Sequence, residues 1–288
     1  MARLLSPMWS IHIALIGFGL SGLFGKWLPH SPMLITAGRA GFGALTLWLI
    51  LKWRREPGRL TRNQAGWLTL TGVVLAVHWV TFFQSIQVSS VAIGVMAFSS
   101  SPVFTILMEP VVFRERFRPE LLVPVGVVIV GLALIATSGE ALGWESQTVQ
   151  GVLWGLASGF LHALLGILNR MQVRSHSAVR VGLVQDGVAA LVLLPFAWSE
   201  FGVLTPQDWA LLAVLGIFFT AGAHGLLIHA LKTVQAQVAN LIVAGLEPVY
   251  GILFALIFLG ETPTLQALLG GLLIIGSTLQ VTFRSSSP

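Results

Sequence analysis

Ten apolar runs, each about as long as a bilayer is thick, follow one another along the chain with only short gaps between them. A hydrocarbon core ~30 Å thick needs about 20 mainly apolar residues per helix. Runs of that kind lie at Met8–Leu28, Met33–Trp53, Ala65–Gln84, Ser90–Phe113, Leu121–Thr137, Val149–Arg170, Ala178–Trp198, Trp209–His229, Val234–Leu259 and Leu265–Phe283. The gaps leave no room for a soluble domain. Charged residues make up 9% of the chain, against the ~25% of a soluble domain, too few for a water-facing skin. Hydrophobicity excludes disorder. The absence of cysteine excludes disulfides, zinc–thiolate sites and cysteine nucleophiles. The pattern predicts an all-α polytopic membrane protein of ten transmembrane helices.

Helix-start chemistry supports the span boundaries. Thr61 with Gln64, and Thr205 with Asp208 behind Pro206, have the spacing of capping boxes, and Ser31-Pro32 and Thr262-Pro263 read as similar starts. The first run lacks a small-residue cleavage site and is expected to stay as a helix. With ten spans, fourteen of the sixteen lysines and arginines fall on the face that holds the N-terminus, face A. Lys26 alone lies on face B, and Arg39 lies inside the second span. Positive charge stays inside, so both termini are expected in the cytoplasm, in a bacterial inner membrane. The same skew explains the net charge of +5 without any nucleic-acid partner.

The chain also repeats itself. Pro102 and Pro248 lie 146 residues apart, as do Glu115 and Glu261. Gly126 and Gly131 recur as Gly271 and Gly276 at an offset of 145. Five spans separate equivalent positions, and five is odd, so residues 8–137 and 149–283 are expected to form two halves of opposite orientation, a 5+5 inverted repeat. The stretch Ser89-Ser90-Val91-Ala92, Ser101-Pro102-Val103-Phe104 and Arg114-Glu115, with its echo Ala230-Leu231-Lys232, Glu247-Pro248 and Leu259-Gly260-Glu261, resembles the EamA domain, which occurs twice in ten-helix members of the drug/metabolite transporter superfamily. The resemblance covers nearly the whole chain. It implies a central cavity lined by the first four helices of each half, with the fifth and tenth outside. Bacterial members of this kind are commonly metabolite exporters, and amino acids and their derivatives are a frequent substrate class.

Candidate substrate-binding residues come from polar and aromatic groups at membrane depth. His78 and Trp79 sit mid-span with Phe82 and Phe83 one turn on, and the repeat maps Trp79 onto His224. Trp154, Ser158 and His162 share one helical face, and Gly151, Gly155, Gly159 and Ala163 form a second face suited to close packing. Ser99, Ser100 and Ser101 precede Pro102, where they either satisfy the carbonyl that proline frees or present hydroxyls to a solute. Asn240, Ala244, Glu247 and Gly251 lie on one face beside Pro248. An intramembrane carboxyl such as Glu247 is a substrate-amine or proton site, or else a protonated structural group at a helix kink. Pro102 and Pro248 are expected to break their helices. Arg39 either faces the cavity as a carboxylate partner or snorkels outward as a structural charge, and Asp186 either pairs or meets water. Trp27, Trp48, Trp53, Trp67, Trp144, Trp198 and Trp209 fall near span ends, as membrane-belt residues do.

Gly17-Phe18-Gly19-Leu20-Ser21-Gly22 matches the dinucleotide fingerprint but lies inside an apolar span, with no strand before it. No HExxH, G-x-S-x-G or P-loop occurs, so neither an enzyme, nor a metal or cofactor, nor an intrinsic ATPase is expected. The reading is a secondary carrier for small amphipathic metabolites, neutral and aromatic amino acids first, with the bilayer as its surroundings and oligomeric state open. Neither the first nor the sixth span holds an acid, which favours uniport. The alternative is a proton-coupled exporter of drugs, nucleosides or amines.

Overall fold

The computed structural model describes residues 7–55, 60–114, 119, 122–139, 143–172, 177–223, 226 and 236–285. Among these, all regular structure is helical. The first span is Pro7–Ser21, continued after a turn by Phe24–Trp27. Pro32–Arg54 and Arg62–Val88 are the second and third. The fourth is two helices, Val91–Phe98 and Ser101–Phe113, and the fifth is Leu122–Ala136. Gln147–Gln172 and Ala178–Phe201 form the sixth and seventh. The eighth begins as Pro206–Val214 and passes into a π-helical stretch, Leu215–Gly222. Ala236–Leu259 and Leu265–Ser285 are the ninth and tenth. Five of the described helices are long and apolar enough to cross a membrane by length and composition alone.

Three expected helix starts form as read. Ser31 accepts from the Leu34 N–H, and both capping boxes, Thr61 with Gln64 and Thr205 with Asp208, close in both directions. The tenth helix departs from expectation. Its cap is Thr264, whose hydroxyl accepts from Ala267 N–H, rather than Thr262. The two prolines also behave differently from one another. Pro102 stands at the start of the second half of a broken span, whereas Pro248 lies inside an unbroken helix. A proline costs least in a first turn, where its missing N–H has no intrahelical partner anyway.

Equivalent helices of the two halves run in opposite directions, as side-chain contacts between their ends prove. Glu200, at the end of the seventh span, bonds Ser31, at the start of the second. Glu261, just past the ninth, bonds the first backbone N–H of the fourth. Gln266, starting the tenth, reaches Thr137 at the end of the fifth (2.7 Å), while Ser277 further along reaches the Pro124 carbonyl at its beginning (2.9 Å). The packing has the same internal symmetry. The second span lies on the seventh, the fifth on the tenth and the fourth on the ninth. The third packs on the sixth as the eighth packs on the first, and the third on the seventh as the eighth on the second. The ninth packs on the first as the fourth packs on the sixth. These contacts close a ring in the order one, nine, four, six, three, seven, two, eight, with the fifth and tenth outside it.

Two glycines set matching close approaches in this ring. A Cβ on Gly216 would stand 2.5 Å from Phe42 Cβ and 2.6 Å from the Arg39 carbonyl. One on Gly72 would stand 2.7 Å from Val188 Cβ and 3.0 Å from the Gln185 carbonyl. Gly216 and Gly72 are 144 residues apart, and Gln185 and Arg39 are 146 apart, so this is one backbone-to-backbone contact built twice. Small residues permit such approach where no hydrophobic force drives helices together. Gly216→Ala is expected to destabilise the purified protein by about 1–3 kcal/mol through overpacking. Gly66→Ala, at a position with open space, is expected to leave the melting temperature unchanged or raised.

Candidate functional site

Inside the ring, polar and aromatic side chains meet near mid-span. His78, in the third span, is buried, with its Nδ1 3.0 Å from the Ser158 carbonyl and 2.9 Å from the Ser158 hydroxyl of the sixth. The imidazole of His162, one turn on from Ser158, lies 5.1 Å from that of His78 and 5.2 Å from the ring of Phe98. Phe98 also touches Phe82, at 5.6 Å edge to face. His162 is exposed. The result is a cluster of two imidazoles and two phenyl rings drawn from the third, fourth and sixth spans, in which His78 and Phe82 are buried.

Beside it lies a buried cation. The guanidinium of Arg39 stands 4.0 Å over the Trp79 ring centroid, and its Nε donates to the Thr220 hydroxyl of the eighth span at 3.2 Å. Arg39 is 4% exposed, so it does not snorkel to the headgroups. A buried guanidinium over an indole face gains ~2 kcal/mol or more, which offsets part of its desolvation cost. Thr220 in turn donates to Leu215 O, five residues back, at 2.9 Å, the spacing that π-helical winding brings into register. Asp186, also buried, acts electrostatically on Arg39. At the equivalent place in the other half, Gln185 donates to the Thr71 hydroxyl and to Asn169, each at 2.8 Å.

The structure separates some residues that the sequence grouped together. Phe82 and Phe83 both lie in the apolar core with Leu23, Phe24 and Ile86, Phe83 fully buried and Phe82 8% exposed. The hydroxyls of Ser99 and Ser100 donate to the Val95 and Ala97 carbonyls (2.8 and 2.7 Å), not to the Phe98 carbonyl four residues before Pro102. Trp154, 41% exposed, and buried Ser158 lie on opposite sides of a packing boundary despite their helical spacing. Gly151, Gly155 and Gly159 do pack closely, against Ser89, Ala97 and the Phe98 carbonyl of the fourth span. Glu247 is half-buried and accepts no hydrogen bond from the described residues. Asn240 is helical but its side chain, like all of His224, lies outside the described residues.

The periodicity gave no sign of Thr220 or Phe98. Gln185 did leave one, because the 146-residue offset that pairs Pro102 with Pro248 maps Arg39 onto Gln185.

On face B the helix ends are tied to one another, both within the first half and across the two halves. Lys26 Nζ donates to the Ser89 carbonyl (2.8 Å), and Glu261 accepts from Val91 N–H (2.9 Å). Gln87 donates to the His30 carbonyl (2.8 Å), and His30 faces Asp208 at 3.2 Å. Together with Ser31–Glu200, these contacts form a polar seam over one end of the ring.

A model of the EamA-like transporter family matches residues 5–137 and again 149–283. An uncharacterized transporter of Archaeoglobus fulgidus is 26% identical over 270 residues, 94% of each chain. The pseudopaline exporter CntI of Pseudomonas aeruginosa is 26% identical over 238 residues, 82% of this chain and 81% of its own. One solved crystal structure aligns over 98% of both chains with a TM-score of 0.65 at 16% identity, a likeness of fold alone.

The seam is expected to make the ring accessible from face A only. In this cysteine-free chain, a single His162→Cys thiol should react with a membrane-impermeant maleimide from one face of oriented vesicles. Adding Glu200→Gln and Glu261→Gln should raise the rate from the other face several-fold. Equal rates from both faces of the singly substituted protein would show that the seam does not seal.

Proposed function

The chain belongs to the EamA-like transporter family, and on that premise we propose that it is a secondary carrier of small amphipathic metabolites, neutral and aromatic amino acids first among them. It is a multi-pass membrane transporter, and the proposal concerns what it carries and how. The observation that supports the substrate class is the cluster formed by His78, Phe82, Phe98 and His162. Such a cluster offers apolar contact and a few polar groups to a solute with an apolar side chain. The observation that supports the mechanism is the closed seam at face B beneath two inverted halves. Rocking of the halves would break Ser31–Glu200 and Glu261–Val91 and form equivalent contacts at the opposite face.

The direction we assign is outward, with both termini in the cytoplasm, in line with the charge skew. The relative in Pseudomonas aeruginosa carries the name of an exporter. The driving force we assign is the substrate's own gradient, since the first and sixth spans carry no acid. A second reading, proton-coupled export of drugs, nucleosides or amines, rests on Glu247, a carboxyl inside the ninth helix that accepts no hydrogen bond from the described residues.

Counterflow with purified protein in liposomes tests both readings. Preloaded phenylalanine or leucine is expected to drive uptake of the labelled amino acid, with no response to an imposed pH step. Silence toward every amino acid would remove the substrate class. A pH-driven flux that disappears in Glu247→Gln would replace uniport by proton coupling.

A further inference from the structure

We propose that Arg39 and Asp186 form a split head-group site that takes the carboxylate and the ammonium of one zwitterionic solute. The inference deepens the carrier reading above and rests on it.

Both residues are 4% exposed, and they come from opposite halves of the repeat, yet no guanidinium nitrogen of Arg39 lies within 4.0 Å of an Asp186 oxygen among the described residues. Thr220 borders the surroundings of both. Its hydroxyl takes Arg39 Nε. Its methyl borders the same spot above Gly43 as the Asp186 carboxylate does: a Cβ built on Gly43 would stand 3.3 Å from Thr220 Cγ2 and 2.7 Å from Asp186 Oδ2. The guanidinium's face is covered by Trp79, and Phe83 lies 5.6 Å from its Cζ. Its Nε is engaged, and the two terminal nitrogens have no hydrogen-bond partner among the described residues. Asp186 likewise accepts no hydrogen bond from the described residues.

A buried charge without a hydrogen-bonded partner is costly unless something completes it. A terminal nitrogen pair is the geometry that grips a carboxylate at two points, and a carboxylate accepts an ammonium. An α-amino acid carries both groups on one carbon. The site's own charges sum to zero, so a zwitterion leaves the buried interior neutral. A plain carboxylate would meet Asp186, and a plain amine would meet Arg39, each as a like charge. The glycine at position 43 lets the Asp186 carboxylate approach to 2.7 Å from where a Cβ would stand, and the imidazole–phenyl cluster beside Trp79 is where the side chain of such a solute would lie.

The test titrates thermal stabilisation of the purified protein with three probes. These are phenylalanine, N-acetylphenylalanine as the anion, and phenylalaninamide buffered below the ordinary α-amino range of ~8 so that it is a cation. The unsubstituted protein should prefer phenylalanine to either blocked form by about tenfold or more, the value of one charged hydrogen bond. Asp186→Asn leaves a net positive site and should make the N-acetyl form the better ligand. Arg39→Gln leaves a net negative site and should make the amide the better one. Arg39→Lys and Asp186→Glu should keep the zwitterion preference, and they carry the test where the neutral variants do not purify as monodisperse protein.

Opposite changes in ligand order are something that a merely structural ion pair would not produce. If the unsubstituted protein binds phenylalanine and both neutral variants keep its order of ligands, or lose all three probes alike while folded, the head-group assignment is overturned and the substrate class stands. If the unsubstituted protein responds to no amino acid in binding or counterflow, the carrier reading fails and takes the split site with it.

Discussion

Hydrocarbon supplies no hydrogen bond, so every polar group this chain brings to membrane depth has to be answered by the chain itself. That requirement shapes the helix ends and the interior alike. At face B, the first N–H groups of the fourth span are answered by Glu261 from the opposite half, and those of the second by Ser31 and Glu200. At the break in the fourth span, the hydroxyls of Ser99 and Ser100 are answered by the Val95 and Ala97 carbonyls. At the centre, Arg39 is answered by an indole face and a threonine hydroxyl rather than by water. Remove a contact at the centre and a buried group is left bare, at a cost of about 1–3 kcal/mol. The ring therefore holds together by specific polar contacts at a few levels, with apolar packing filling the rest.

These answers cross from one half to the other. Ser31–Glu200, His30–Asp208, Glu261–Val91, Arg39–Thr220 and Gln185–Thr71 each join residues of the first repeat to residues of the second. A bundle whose stabilising bonds lay within each half would hold together as two units with a weak interface. Here the interface carries the polar energy, and contacts at its face-B edge are ones that an opening movement has to exchange. Groups at the rim can exchange partners for water as they separate, so those bonds cost little to break. Arg39 and Asp186, being buried, need either each other's field or a solute throughout.

What could be read from the sequence was what repeats or what caps. The pairs Thr61/Gln64 and Thr205/Asp208 form as spaced, because a capping box is a local bond whose partners are three residues apart. Inversion followed from counting, since an odd number of spans between equivalent positions leaves no other arrangement. Positions decided by tertiary contact were not legible in this way. Phe82 and Phe83 are neighbours of the same type and both join the core with Leu23 and Ile86, and only tertiary packing sets the ring of Phe82 edge to face against Phe98. Pro102 and Pro248 occupy equivalent places, yet one span breaks and the other does not. A proline's consequence depends on the chain around it, and Ser99 and Ser100 at the break have no serine counterparts before Pro248. Thr220 escaped notice because π-helical winding shifts it off the face that a regular helix would assign.

The two halves are alike in backbone and unlike in charge, and the difference falls at Arg39 and its counterpart Gln185. Gly216 against the Arg39 carbonyl and Gly72 against the Gln185 carbonyl are the same contact made twice, so a movement that slides one pair can slide the other without new strain. At the side-chain level one copy holds a guanidinium and the other a neutral amide, whose partners Thr71 and Asn169 lie in the third and sixth spans. Had both copies carried arginine, the ring would enclose two cations with one aspartate between them, and the interior would stay charged with or without a solute. With glutamine in the second place, Arg39 and Asp186 are left as one balanced pair, drawn one from each half. A pair divided in that way changes its separation whenever the halves move, so whatever bridges it is sensed by the movement itself.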